Sequence, residues 1–158
     1  MKIEPNWVSG LVDGEGTFYV GINKNDTMKC GLQVLPEFRI VQHKRDVQLL
    51  YGLKRYFGAG VVRINHDDRY ELRIRSLQHI NQFVIPHFDK YPLLTQKKFD
   101  YLKFKKIVNL MNQAKHLSVL GIKEIITIAA QMNRQDKVKS LQILADLNSY
   151  QEQDKVHS

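Results

Sequence analysis

Apolar and polar positions alternate along four stretches of the chain, and between them the apolar spacing becomes helical. Residues 17–23 place Phe18, Val20 and Ile22 on one side and Thr17, Tyr19, Gly21 and Asn23 on the other. That is the two-residue period of a half-buried strand. After a turn at Asn25-Asp26, residues 31–42 alternate again, with Leu32, Val34, Phe38 and Ile40 opposed to Gln33, Leu35, Glu37 and Arg39. Pro36 inside this run predicts a bulge or an edge position, with a change of register around Leu35 and Glu37. Two shorter strands follow at 60–65 and 70–76, joined by His66-Asp67-Asp68-Arg69 as a hairpin turn, with Val62, Ile64, Leu72 and Ile74 as their apolar set. Helical spacing predicts helices at 7–14, capped by Asn6 after Pro5, and at 44–57, ending at Gly58. Further helices are expected at 77–85, 96–113, 121–132 and 136–151. The order αββαββα plus C-terminal helices defines an α+β fold with a four-stranded antiparallel sheet.

Length and charge narrow the picture. The chain has 158 residues, the size of one domain, and Lys plus Arg outnumber Asp plus Glu by 24 to 16, a net charge of +8. Such an excess favours a polyanionic partner, nucleic acid first. Cys30 stands alone, which excludes an internal disulfide and a cysteine-rich zinc site, and the six His are scattered without an i, i+4 pair. Residues 1–5 do not read as a signal peptide and no apolar run is long enough to cross a bilayer, so an intracellular protein without a membrane partner is expected. Neither a nucleophile elbow nor a phosphate-cradling loop is present in the sequence.

The polar side of the four strands carries Tyr19, Asn23, Gln33, Glu37, Arg39, Arg63, Asn65, Glu71, Arg73 and Arg75. Arg can bond guanine bidentately, Asn and Gln can bond adenine, and Glu can accept from cytosine. A twisted antiparallel ribbon fits the major groove. The alternative is a merely solvated sheet face, but such faces favour Lys, Glu, Ser and Thr over four Arg interleaved with amides. A second signal is W-V-S-G-L-V-D-G-E-G at 7–16, where Ser9 with Asp13 and Gly10 with Gly14 lie at i, i+4 and give the helix a flank of small side chains. Glu15 falls at the helix C-terminus, where the macrodipole disfavours an anion unless a cation offsets it. Helix-end carbonyls would supply further hard oxygen ligands for a divalent ion. Equally open on these residues is a helix-to-strand turn using Gly14 and Gly16, with Glu15 simply exposed.

The same ten residues resemble the signature of the LAGLIDADG homing endonucleases. Later blocks at 38–42, 51–60 and 91–98, and a helical segment from His116 to Asn133, also resemble the family and occur in its order. Ser9 stands where alanine is usual, and Glu15 where many members have Asp. The resemblance covers about 6–133 and leaves 134–158 as a helical extension of a single domain, 1–158. It implies an αββαββα saddle with a four-stranded antiparallel DNA-binding sheet plus C-terminal helices. It also implies a double-strand break in a long DNA target, by phosphodiester hydrolysis that depends on divalent metal. Mg²⁺ is the metal implied, and Mn²⁺ or Ca²⁺ can occupy the same sites. One signature copy implies a homodimer packed through Trp7, Ser9, Gly10 and Asp13, and hence a pseudo-palindromic target.

Residue by residue, the resemblance gives Glu15 and the Gly14 carbonyl to the metal and Gln42 to the water network. Lys97 goes to the reacting phosphate, with Lys98 in its place if the alignment slips by one. Asp13 is expected to hold the helix pair rather than bind metal. Tyr19, Asn23, Gln33, Arg39, Arg63, Asn65, Glu71, Arg73 and Arg75 match base-facing positions, whereas Lys24, Lys29, Lys97, Lys98, Lys115 and Lys139 suit phosphates. Two other readings stay open: a maturase acting on intron RNA, and a DNA-binding module without cleavage, against which Glu15 argues. Organelles, archaea and bacteria all carry the family, so the expected location is a chloroplast, a mitochondrion or the prokaryotic cytoplasm.

Overall fold

The computed structural model describes residues 1–132 and 137–157. Helix α1 (Pro5–Glu15) opens with proline in its first turn, where a missing N–H costs nothing. The preceding Glu4 is the N-cap and makes no side-chain cap bond, so Asn6 lies inside the helix rather than capping it. The early start follows from Pro5, whose fixed φ already suits a helix. At the other end the Gly16 amide bonds the Val12 carbonyl, and a Cβ at Gly16 would lie 2.5 Å from Val12 Cγ1. Glycine is required there for the chain to leave α1 directly into a strand.

Strands β1 (Gly16–Lys24), β2 (Leu32–His43), β3 (Val61–His66) and β4 (Arg69–Ile74) form one sheet in the order β1-β2-β4-β3. β4 runs antiparallel to both β2 and β3. Leu32, Val34, Pro36, Phe38 and Ile40 are all buried at two-residue spacing, so Pro36 does not shift the apolar side, although Glu37 beside it is buried as well. Pairing with β4 begins only at Phe38, and on that side Pro36 has no ladder bond to supply. Ile64, expected in the apolar set, is 58% exposed. β3 is an edge strand with a bulge between Ile64 and His66, which leaves its end uncovered.

The chain divides into two compact units that interleave in sequence, 1–19 with 36–102, and 20–35 with 103–158. The division passes through β1 and β2. The first unit adds a 3₁₀ turn (Lys44–Asp46), α2 (Val47–Phe57), α3 (Leu77–His79), α4 (Ile85–Lys90) and the start of α5 (Lys97–Asn112). A π-helical turn at Ile80–Val84 links α3 to α4. The helix expected to stop at residue 85 therefore continues to Lys90. The π turn shifts the register, so that Pro86 falls in the first turn of α4. The core of this unit gathers Val8, Val12, Phe38, Leu53, Phe57, Leu72 and Ile74 around Phe18, whose ring lies 5.3 Å from Phe38 and 5.4 Å from Phe88. Each such side chain contributes about 2 kcal/mol by burial.

The second unit holds the outer parts of β1 and β2, the end of α5, a 3₁₀ turn (Lys115–Leu117), α6 (Val119–Ala129) and α7 (Lys137–His157). Val20, Ile22, Leu32, Val34, Phe104, Ile107, Ile122, Ile125, Ile126 and Ile143 are buried in it. The expected start of the last helix at Asp136 and the expected limit at Asn133 lie outside the described residues, while α7 runs on to His157. No helix among the described residues is long and apolar enough to cross a membrane.

Candidate functional site

Helix α1 presents two different sides. Val8, Ser9 and Val12 are buried, while Trp7 is 49% exposed and Gly10 and Gly14 are open. A Cβ added at either glycine meets nothing within 4 Å. On the inner side, Ser9 Oγ donates to the Tyr91 carbonyl at 2.6 Å and lies 3.2 Å from His87 Nε2. With its proton committed to Tyr91, Ser9 accepts from Nε2–H, so His87 Nδ1 accepts from Tyr56 Oη at 3.2 Å. Burial pulls the His87 pKa down to about 4, which keeps the ring neutral. Asp13 accepts from the Leu94 amide at 3.0 Å, the Thr95 amide at 3.1 Å and Thr95 Oγ1 at 2.6 Å. Burial pushes its carboxyl up, but these hydrogen bonds and the Lys97 charge outweigh it and leave the pKa below the usual value.

The end of α1 meets the start of α5. Lys97 Nζ donates to the Gly16 carbonyl, one residue beyond Glu15. Glu15 itself is exposed and has no hydrogen-bond or ion-pair partner among the described residues, although it sits at the negative end of a helix whose last turn carries no basic residue. Lys98 is exposed in the next position of α5. Gln42 is half-buried near the end of β2, opposite Tyr70, and makes no hydrogen bond to Glu15 or Lys97.

On the polar side of the sheet, the register sets Arg39 opposite Arg73 and Glu71 opposite Arg63. Glu37 and Glu71 are 5% and 2% exposed, closed in by arginines. Glu71 was expected to face bases; at that burial it contacts Arg63 at 3.4 Å and the Asn65 amide at 2.7 Å instead. Arg39 lies 5.5 Å over the Tyr19 ring. Burial, then repulsion from Arg75 and Arg63, lowers the Arg73 pKa from its ordinary value, against the pull of Glu37 and Glu71. In the second unit, Gln33 accepts from the Asn25 amide at 3.2 Å and Asn23 accepts from Lys139 Nζ at 2.9 Å. Lys139 was expected at phosphate and Asn23 at bases; here they are bonded to each other.

The family model described as LAGLIDADG endonuclease matches residues 8–108, which contain α1 from Val8 onward, the whole sheet and Lys97. The chain belongs to the LAGLIDADG endonuclease family. Among solved structures it resembles the homing endonuclease I-TnaI, at 51% identity and a TM-score of 0.86, covering 91% of this chain and 99% of that one. It also resembles I-SmaMI bound to an uncleaved DNA target in the presence of calcium ions, at 36% identity and a TM-score of 0.82, covering 84% and 46% of the two chains. A probable intron-encoded endonuclease 3 of Neurospora crassa is 38% identical over 136 residues, covering 84% of this chain and 25% of that protein. The DNA endonuclease I-CeuI of Chlamydomonas moewusii is 28% identical over 135 residues, covering 82% and 62%. The chain spans 25% to 29% of the length of the first three curated relatives.

Within this LAGLIDADG chain, Ser9 and Asp13 face into their own unit. Of the residues expected to pair two helices, Trp7 and Gly10 are exposed, as is Gly14. Sequence reasoning missed His87, Tyr56 and Thr95 as the anchors of the LAGLIDADG helix. Their partners lie 31 to 82 residues away, so no local periodicity marks them.

Proposed function

We propose that the protein is a site-specific, divalent-metal-dependent homing endonuclease. It acts as a homodimer to break both strands of a long pseudo-palindromic DNA target. The observation that carries this reading is Glu15: an exposed, unpaired carboxylate at the negative end of α1, with Lys97 held on the adjoining Gly16 carbonyl. An anion there is unfavourable by itself and becomes favourable beside a cation. The donor set fits Mg²⁺, since a carboxylate and the Gly14 carbonyl are hard oxygen ligands. No three His, Cys, Asp or Glu side chains gather elsewhere among the described residues. One carboxylate per protomer suits a centre completed by a second copy and by phosphate oxygens.

When bound, such an ion supplies positive charge to the scissile phosphate and acidifies a water. The protein's own residues do the rest. Glu15 holds its charge without a competing partner, Lys97 offers an ammonium to the phosphate, and Gln42 orders water. Trp7, Gly10 and Gly14 let two copies of α1 approach closely. The arginine-bearing strands read base edges, while Lys98, Lys24 and Lys29 neutralise phosphates. The DNA-bound state of I-SmaMI and the intron setting of several relatives support a duplex target in an intron-bearing genome.

The test uses plasmids carrying the chain's own genomic locus with and without the intervening element, incubated with and without Mg²⁺. Linearisation of the uninterrupted plasmid alone, dependent on Mg²⁺, is the expected result. Glu15→Gln should retain the duplex on a filter and lose cleavage. Continued cutting by that variant removes Glu15 from the mechanism.

A further inference from the structure

Glu37 and Glu71 are buried carboxylates on what should be the DNA side of the sheet. Arg75 Nε donates to Glu37 Oε1 at 2.8 Å, Arg73 Nε lies 3.5 Å from the same oxygen, and Arg39 Nε lies 3.4 Å from Oε2. Glu71 is approached by Arg63 Nε at 3.4 Å and Arg39 Nη1 at 4.0 Å, and it accepts from Asn65 Nδ2 at 2.7 Å. Four guanidinium groups thus enclose two carboxylates and keep a surplus of positive charge. Unheld, long arginine side chains would repel one another and sample many rotamers, a cost that binding would then have to meet. Arg75 is hydrogen-bonded to its carboxylate through Nε, whereas Arg63 Nε donates to the Ile64 carbonyl at 3.4 Å and the buried Arg39 Nε makes no hydrogen bond, so Arg39, Arg63 and Arg73 are held to the carboxylates by charge.

We infer that Glu37 and Glu71 are positioning residues that never touch a base, and that the arginines they hold make this unit select guanine in the major groove. The inference rests on the proposal that this face reads DNA. Guanine alone offers two adjacent acceptors, N7 and O6, matching the planar arginine fork. Both carboxylates are closed off and cannot accept from cytosine. Arg63 and Arg75, with side chains 48% and 54% exposed, are placed to reach bases. Arg73, at 18%, mainly completes the lattice.

The full-length protein is used to select duplexes from a randomised library by filter retention in EDTA, followed by sequencing. Cleavage plays no part, so the nuclease reading and the guanine reading fail separately. Wild type should enrich guanine at two or more positions in each half-site. Glu37→Gln and Glu71→Gln should reduce that preference roughly 5- to 150-fold per position. Retention of random duplex should hold or rise, because an anion leaves a basic face. Arg63→Lys keeps the charge without the fork and should lose guanine at one position, with the melting temperature near wild type. The inference is overturned by a wild-type profile without guanine, or by glutamine variants with an unchanged profile. It is equally overturned if those variants lose random-duplex retention in parallel with selection. A wild type that retains no duplex overturns the DNA-reading proposal as well.

Discussion

Acidification should weaken the protein through one identifiable group. His87 is held at a pKa of about 4 by burial, against 6.5 for a free imidazole. Because the folded value is the lower one, the unfolded chain takes up the proton first as pH falls. The contribution of neutral His87 is therefore complete above about pH 6.5, shrinks between 6.5 and 4, and is gone below that. At about 1.4 kcal/mol per pKa unit, the loss is about 2 kcal/mol at pH 5 and about 3 kcal/mol at pH 4. The geometry gives the reason. A second ring proton would sit on Nδ1, where Tyr56 Oη now donates, and Ser9 could not compensate because its own proton is on the Tyr91 carbonyl. His87→Gln is the useful comparison, since an amide can accept from Tyr56 and donate to Ser9 without titrating. Urea unfolding of both proteins at pH 7.5 and pH 5 isolates the effect, because the two differ only at residue 87. Wild type should lose about 2 kcal/mol more than the glutamine variant over this interval. Equal losses would refute the neutral, doubly bonded His87.

Other substitutions probe separate joints of the structure. Gly60 has φ +102, and a Cβ there would lie 2.8 Å from Leu72 Cδ1 and 2.9 Å from Ile74 Cγ1. Gly60→Ala should cost about 2–3 kcal/mol, seen as a lower urea midpoint with unchanged slope. At Gly31, where φ is +70 and the space is open, the same change should cost only about 1 kcal/mol. Asp13→Asn should cost about 1–2 kcal/mol at pH 7, by calorimetry. Because the folded pKa of Asp13 is lowered, that difference should fade as pH falls through the carboxylate range. Gly10→Leu should stabilise the lone protomer by about 1 kcal/mol through helix propensity while abolishing sedimentation as a dimer on DNA. A dimer of unchanged affinity would remove this face of α1 from the pairing.

Strand alternation was legible because it depends only on which side of a sheet each residue occupies. Phe18, Val20, Ile22, Leu32, Val34, Phe38 and Ile40 are all buried as the pattern requires. The pattern assigns a side but not a cover, and there it failed. Glu37 and Glu71 stand on the polar side yet are shielded by neighbouring arginines, whereas Ile64 stands on the apolar side yet has no cover at the edge. Pro36 misled for a related reason: it was weighed as a local interruption, but pairing with β4 begins only at Phe38, a fact outside any local window.

Helix α1 shows why the site was only partly readable. Ser9 with Asp13 and Gly10 with Gly14 share the same i, i+4 spacing, and the two pairs are rotated by about 100° around the axis. Spacing therefore cannot say which pair turns inward; the need of polar atoms for partners can. Ser9 and Asp13 find theirs at His87, Tyr91, Leu94 and Thr95. The glycines, having no side chain to satisfy, are left on the outside. It follows that the direction of Glu15 is fixed by bonds within one protomer, before any second copy arrives. In the proposed dimer, a partner helix would meet a bare glycine surface rather than reorganise the helix that carries the acid.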